Sequence, residues 1–461
     1  MSSIPHPRPR RLLVRRVGRL VTMDASRRIL RDAWLLAEDG VVRSLGEGRP
    51  AHAAGAEVLD ARGGIVTPGL INTHHHMFQN LARAFAPIAN LPLLPWLAGH
   101  MPLWRRFTPE ALFVATQVAC VELMLSGCTL TSDHHYLFPR DGGAEMLDAG
   151  FAAAAALGLR YVGCRGSVNV PSDIMPAWSC QDLDTILADC QRLHGRFHQS
   201  GPDAMAQLAV APCTVFGCSA DHYRESARLA RHLRIRLHTH CGETIAENDE
   251  ARRSLGARPL PYMAGLGWEG DDVWLAHGIH FSDAEVRRLN RTRTGVAHCP
   301  VSNMRLGSGV CRVSDLRRGG SPVSLGVDGS ASNDSGHLLA EARAALLLTR
   351  VTHGAGAITP EQVLEMATLE GARNLGRAGD LGSLEPGKQA DFAVFPGEDL
   401  FSNGAHEPVH ALVLCHPRQV DALVVKGEVR VRGGQPVGVD LPRLLERHRR
   451  LARRLHEGKT A

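Results

Sequence analysis

The feature that most constrains this chain is a change of rhythm along it. Between about residues 67 and 374, short apolar runs that suit strands alternate with long stretches that suit helices; in the segments flanking it, about 12–66 and 390–431, only strand-type runs occur. The run leading into Asn72, and those at 128–132, 161–164, 207–211, 235–239, 273–276, 295–298 and 323–327, make eight strand candidates. Helix-compatible stretches such as 108–125, 144–157, 219–233 and 338–352 separate them. Repetition on this scale predicts an α/β fold, a parallel (β/α)₈ TIM barrel. A doubly wound open sheet is the competing architecture, but it usually carries a glycine-rich phosphate loop after its first strand, and none is present.

The flanks read differently. Strand-type runs at 12–14, 19–23, 33–37, 41–45 and 57–61 are punctuated by turn residues such as Asp39-Gly40, and the pattern returns at 390–395, 410–414, 420–425 and 429–431 with no helical pattern competing. One small β-sandwich domain built from residues 10–66 and 376–437, around a barrel of residues 67–375, is the economical arrangement. A last segment, 440–458, predicts a helix with Asp440 as N-cap and Gly458 just past its end. Leu444, Leu451 and Leu455 share one face, so this helix is expected to dock on its own protein with a solvated arginine face.

Composition narrows the function classes. A chain of 461 residues buries a sizeable core, which excludes disordered and disulfide-scaffold classes. The net charge of +5 is modest, and much of the excess sits in residues 8–19 and 443–454, so neither nucleic acid nor membrane is indicated as a partner. Eleven cysteines without a CxxC pair read as small buried hydrophobes of a reducing compartment. The N-terminal apolar run Leu12-Leu13-Val14 is too short for a signal-peptide core or a membrane span. The expectation is a soluble, cytoplasmic protein. The count that stands out is 24 histidines.

Four short elements concentrate chemistry at the ends of predicted strands: Thr73-His74-His75-His76, His238-Thr239-His240-Cys241-Gly242-Glu243, Ala276-His277-Gly278, and Gly326-Val327-Asp328-Gly329. In extended chain, positions i and i+2 face the same side, so His74 and His76 converge while His75 points away. A lone strand-end histidine is usually structural, but the C-terminal rim of a barrel is where side chains from different strands meet. Three imidazoles and a carboxylate suit Zn²⁺ or Fe²⁺ with a position left for water, whose pKa then falls toward about 7. Glu243, three residues past His240, is within reach of that site as an acid/base.

These residues carry a resemblance. Pro68-Gly69-Leu70-Ile71-Asn72-Thr73-His74-His75-His76 is similar to the first-strand signature of the amidohydrolase superfamily, in its cytosine/guanine deaminase and chlorohydrolase branch. The likeness extends through His240-x-x-Glu243, Leu275-Ala276-His277, His298-Cys299-Pro300-Val301-Ser302-Asn303, Val327-Asp328-Gly329-Ser330-Ala331-Ser332-Asn333 and the late run Leu384-Glu385-Pro386-Gly387. Within the branch, residues 72–79, 292–306 and 326–336 most resemble bacterial 8-oxoguanine deaminases, with s-triazine hydrolases and pterin deaminases close by. The resemblance implies one divalent ion per subunit, Zn²⁺ with Fe²⁺ as the alternative, held by His74, His76, His240 and Asp328. It implies Glu243 as the group that protonates a ring nitrogen, His277 as the one that orients water or polarises substrate, and Asp328 as acceptor of the water's proton.

The implied activity is hydrolytic deamination of an amino-substituted N-heterocycle, 8-oxoguanine first; the alternatives are s-triazine amino- or chlorohydrolysis, isoxanthopterin deamination, or a barrel kept only as a non-catalytic scaffold. The implied assembly is a homo-oligomer, a dimer. Candidate substrate contacts are Gln79, whose amide can meet an amide-like ring edge, Trp96, which either stacks on a flat ring or anchors its loop, His134, which touches substrate or is structural, and Asn303, which contacts substrate or only fixes its loop. One departure concerns the pair between His240 and Glu243: near relatives read Leu-Ala where this chain has the smaller Cys241-Gly242, which alters the shape of the pocket.

Overall fold

Eight strands buried along nearly their whole length organise the chain: β1 (Leu70–Asn72), β2 (Cys128–His135), β3 (Arg160–Ser167), β4 (Ala206–Pro212), β5 (Arg236–Cys241), β6 (Val273–His277), β7 (Gly295–His298) and β8 (Val323–Leu325). Each pairs in parallel with its neighbours in sequence order, and helices return the chain between them. In this computed structural model the described residues are 10–50, 54–140, 143–397, 399–415 and 418–460; residues 1–9, with part of the basic N-terminal stretch, lie outside them. Strand side chains of one parity form an inner cluster of Ile71, Leu130, Val162, Cys164, Ala209, Ala211, Trp274 and Ala297, while Leu70, Tyr161, Leu208, Val210, Leu237 and Leu275 face the helices. The small Ala209, Ala211 and Ala297 leave room inside for the Trp274 indole.

β1 and β8 approach closely enough to close the barrel almost completely, but by the segments that follow them. Thr73 N donates to Leu325 O (3.0 Å), Asp328 N donates to His74 O (3.0 Å), and Asp328–Gly329 pairs in parallel with His75–His76. Gly326 permits that approach, since a Cβ there would lie 2.7 Å from the His74 Cβ.

The two chain ends build a nine-stranded mixed sheet from Arg11–Val21, Ile29–Glu38, Val41–Glu47, Glu57–Asp60, Ile65–Pro68, Phe392–Phe395, Ala422–Val425, Glu428–Arg432 and Gln435–Pro436. It curls until Val41 bridges Gln389. Alternation gives it two dry faces: Phe392, Val394, Ala422 and Val424 join Leu12, Val14 and Leu35 in a core of its own, whereas Ala393, Phe395, Leu423 and Val425 pack into the main core.

Two expectations for the flanks are corrected. The runs at 12–14 and 19–23 belong to one strand, Arg11–Val21, whose register shifts between Val14 and Val17, so the interruption is a bulge rather than a turn. The predicted strand at 410–414 is the helix Pro408–Leu414; Glu407 caps it by accepting from Val409 N, and Pro408 occupies its first turn. Those start signals, with Val409, Leu412 and Val413 all buried, outweigh an apolar run that suits either state.

The helix Leu441–His456 buries Leu444, Leu451 and Leu455 against the helix Pro109–Leu125 and the short turn Met77–Ala82, where His448 Nε2 donates to Asn80 Oδ1 (2.9 Å). No helix of the described residues is long and apolar enough to cross a membrane. Barrel and sheet are tied by one buried ion pair: Arg160 of β3 donates from Nε and Nη2 to the two Asp391 oxygens at 2.8 and 3.0 Å. Both side chains are almost fully enclosed. Asp391→Ala leaves that guanidinium without its carboxylate and is expected to lower unfolding free energy by about 3–5 kcal/mol, read as a reduced urea midpoint.

Candidate active site

The C-terminal ends of β1, β5, β6 and β8 bring His74, His76, His240, His277 and Asp328 into one buried group. Neutral imidazole has one N–H and one lone pair, and the hydrogen bonds here decide which is which. His76 Nδ1 donates to His134 O (2.6 Å) and His240 Nδ1 donates to Cys213 O (2.8 Å). His238 Nδ1 donates to Trp274 O (2.9 Å), so its Nε2 is an acceptor, and His74 Nδ1 donates to it at 2.8 Å. Each of His74, His76 and His240 therefore turns an Nε2 lone pair toward the same point.

Those lone pairs crowd one another. His76 Nε2 lies 3.1 Å from His240 Nε2, and Asp328 Oδ1 lies 3.4 Å from Nε2 of both His74 and His76. Acceptors packed this way repel unless a cation sits among them. Tetrahedral ligands about 2.0–2.1 Å from a zinc ion lie about 3.3 Å from each other, which is the spacing found. Burial lowers the pKa of all three imidazoles, His240 to about 3, which keeps their lone pairs available. Burial would raise the Asp328 carboxyl, but His74, His277 and His76 outweigh it and hold it well below the usual range. The donor set thus stands in the protonation state that binds a divalent ion. Two overlapping groups can do so, His74, His76, His134 and His240, and His74, His277 and Asp328.

The backbone bends to aim these groups. His277 and Asp328 both take left-handed conformations, φ 72° and 58°, uncommon for residues with a Cβ and concentrated at functional sites. Asn303 and Ser302, on the short helix Pro300–Arg305, hold both side chains: His277 Nδ1 donates to Asn303 Oδ1 (3.0 Å) and Ser302 Oγ donates to Asp328 Oδ2 (2.6 Å). His277 Nε2 is left 3.4 Å from Glu243 Oε2. Burial pushes Glu243 up to about 7; burial alone would lower His277, but Glu243 and Asp328 raise it. Gly242 supplies the turn between β5 and Glu243 at φ 66°, where a Cβ would meet Phe281 at 2.9 Å. At the second position of the departure a side chain would thus crowd Phe281 and strain the turn, and Cys241 is buried outside the two metal-capable groups.

A cleft of about 630 Å³, its mouth included, opens on this group. His76, His240, Glu243, His277 and Asp328 form its polar end. Gln79 and Trp96 line it, the latter from the helix Leu93–Trp104 rather than from a loop, with its ring edge-on to His100 at 4.4 Å. His134 and Asn303 are not among the lining residues: His134 belongs to the imidazole cluster, with Nε2 donating to Ala211 O (2.9 Å), and Asn303 acts on His277. Sequence reasoning passed over Tyr136, Leu93, Leu97, Met175, Phe216 and Glu247, which also line the cleft. Only Glu247 carried a usable signal, the Thr244-x-x-Glu247 spacing of a helix start. His238 was legible as a residue of the same parity as His240, but its part in setting the His74 tautomer needs the position of Trp274 O. His238→Phe removes the acceptor of His74 Nδ1–H and is expected to weaken zinc binding about 10- to 100-fold in a chelator competition; unchanged affinity would exclude the relay.

Residues 65–430 match the model of the amidohydrolase family. The chain is 47% identical over 429 residues to the 8-oxoguanine deaminase of Pseudomonas aeruginosa, covering 92% of this chain and 95% of that one. It is 38% identical over 441 residues to the hydroxydechloroatrazine ethylaminohydrolase of Pseudomonas sp. strain ADP, 91% of each. Among solved structures, the atrazine chlorohydrolase of Arthrobacter aurescens TC1 complexed with zinc superposes with a TM-score of 0.90 at 28% identity, over 96% of this chain and 100% of that one. With a buried imidazole–carboxylate group at the rim of its barrel, the chain belongs to the amidohydrolase family and is a metal-dependent hydrolase.

Proposed function

We propose that this protein deaminates 8-oxoguanine hydrolytically, giving urate and ammonia, with one zinc ion held by His74, His76, His240 and Asp328. The observation that carries the reading is the convergence of three Nε2 lone pairs and one carboxylate oxygen at 3.1–3.4 Å, beside a Glu243–His277 pair, at the polar end of the cleft. The 47% identical relative bears the same activity in its name. When bound, the ion lowers the pKa of a water toward about 7 and so supplies hydroxide at neutral pH.

The protein's own groups do the rest. Glu243 is buried with its pKa pushed up to about 7, so it can carry a proton to the ring nitrogen beside the carbon under attack. That proton makes the carbon electrophilic. His277, fixed by Asn303, orients the attacking water through Nε2. Asp328 accepts the water's proton and returns it to the departing amine, which leaves as ammonia, while the hydroxyl proton left on the carbon returns to Glu243 as C–N is exchanged for C=O. Gln79 meets the amide-like edge of the ring, and Trp96 covers its face.

Ammonia release from 8-oxoguanine, guanine, isoxanthopterin and a hydroxylated s-triazine tests the reading. Fast turnover of 8-oxoguanine is expected; turnover of a different ring alone would replace the substrate and keep the site, and iron rather than zinc restoring a metal-stripped sample would replace the ion. Glu243→Gln should retain metal and lose about 10²-fold or more in kcat, whereas Asp328→Asn should lose both metal and rate. Gly329→Ala probes the cleft separately: a Cβ there would stand 1.8 Å from Gln79 Oε1, so that amide must move. The expected result is KM raised about tenfold at unchanged zinc content.

A further inference from the structure

One carboxylate of the cleft is left over from this scheme. Glu247 lies in the first turn of the helix Ile245–Leu255, and its side chain lines the cleft beside Glu243 and Thr244. Its residue is 5% exposed. Oε2 accepts the Glu243 N–H at 2.7 Å, so half of the group supports the turn that presents the proposed acid. Oε1 is buried and meets no hydrogen-bond donor among the described residues. Burial raises its pKa, although the backbone N–H groups of Glu243, Gly242 and Thr244 pull it the other way. An unmet buried acceptor is unfavourable, and a position that keeps one on a cleft wall is poised for a donor brought by the ligand.

We propose that Glu247 is a specificity-determining residue whose Oε1 accepts an N–H of the substrate's five-membered ring. The assignment rests on the 8-oxoguanine reading and follows by elimination around that molecule. The amino-bearing carbon and the ring nitrogen beside it face the proposed metal and Glu243, and the amide-like edge faces Gln79. The polar groups that remain are N7–H, C8=O and N9–H of the imidazolone, and of these only the two N–H groups can donate to a carboxylate. Oxidation at C8 changes N7 from a lone pair, as in guanine, to a donor. The oxidised ring thus offers an N–H at both N7 and N9 where guanine offers only one, so a carboxylate oxygen at that edge favours the oxidised ring, the kind of polar matching that separates near-identical substrates.

Glu247→Gln is the discriminating variant. Its amide oxygen can still accept the Glu243 N–H, which places NH₂ where Oε1 stood and turns an acceptor into a donor. Zinc content and the urea midpoint establish that the variant is folded and loaded. The expected result is KM for 8-oxoguanine, and Kd for urate in an equilibrium titration, raised about 10- to 100-fold with kcat little changed. One of the two ring-methylated substrates, 7-methyl- or 9-methyl-8-oxoguanine, should already be weak with the wild type and lose nothing more in the variant. Equal losses for all three substrates, an unchanged KM and Kd, or a fall confined to kcat would overturn the inference, the last because it assigns Glu247 to holding Glu243 alone. If the wild type released no ammonia from 8-oxoguanine, the functional reading itself would fail and this assignment with it; ammonia release with an indifferent Glu247→Gln would sink only the inference.

Discussion

The site depends on how the barrel closes. β1 and β8 do not finish the cylinder with a long ladder; Thr73, His74 and Asp328 do so, through backbone bonds between the segments that follow the two strands. Asn72 adds its side-chain oxygen to Val327 N (2.9 Å), Trp274 Nε1 donates to Thr73 O (2.9 Å), and Thr73 Oγ1 donates to Leu325 O (2.9 Å). The same backbone atoms that satisfy the seam thus set the separation of His74 and Asp328, residues 254 positions apart in a chain of 461. Anything that loosened this seam would expose unpaired amides and spread the ligand atoms together, so closure of the fold and assembly of the site are one event.

Proton placement follows from the same architecture. Strand ends at a barrel rim carry carbonyls as well as side chains, and His134 O, Cys213 O and Trp274 O are the acceptors that settle three imidazole tautomers. His74 is reached one step further away, through His238, whose ring stacks on the Trp274 indole at 4.3 Å. Such outer partners orient ligands and tune their basicity, and here two are strand backbone and the third, Cys213, directly follows β4. The left-handed φ of His277 and Asp328 is a local conformational penalty that the surrounding hydrogen bonds hold in place.

Selectivity is distributed differently. The polar end of the cleft comes from strand termini, whereas its apolar wall comes from the helix Leu93–Trp104 and from Met175, Phe216 and Leu306 in the longer connections. Such a division lets one scaffold host different ring chemistries, because the connections can change while the strand ends stay in place. The C-terminal helix reaches this division from behind, since His448 holds Asn80 in the turn that carries Gln79.

How much of this was legible in the sequence divides along one physical line. Periodicity is local, so the eight-strand barrel, the sheet shared by the chain ends and the docked C-terminal helix could be read from runs of apolar residues and their caps. His74, His76, His240, Glu243, His277 and Asp328 could be named because they stand at strand ends beside motif residues. What could not be read is whatever depends on which atom faces which. The strand expected at 410–414 became a helix because its burial against neighbouring helices is a tertiary fact. His134 and Asn303 carried the right chemistry, but the cleft is walled by others, since only packing decides which side of a rim residue is wet. The Nε2 lone pairs and the unmet Glu247 oxygen have no counterpart in one-dimensional sequence: hydrogen-bond direction and desolvation arise only when distant segments enclose a group, and the tertiary structure alone decided them.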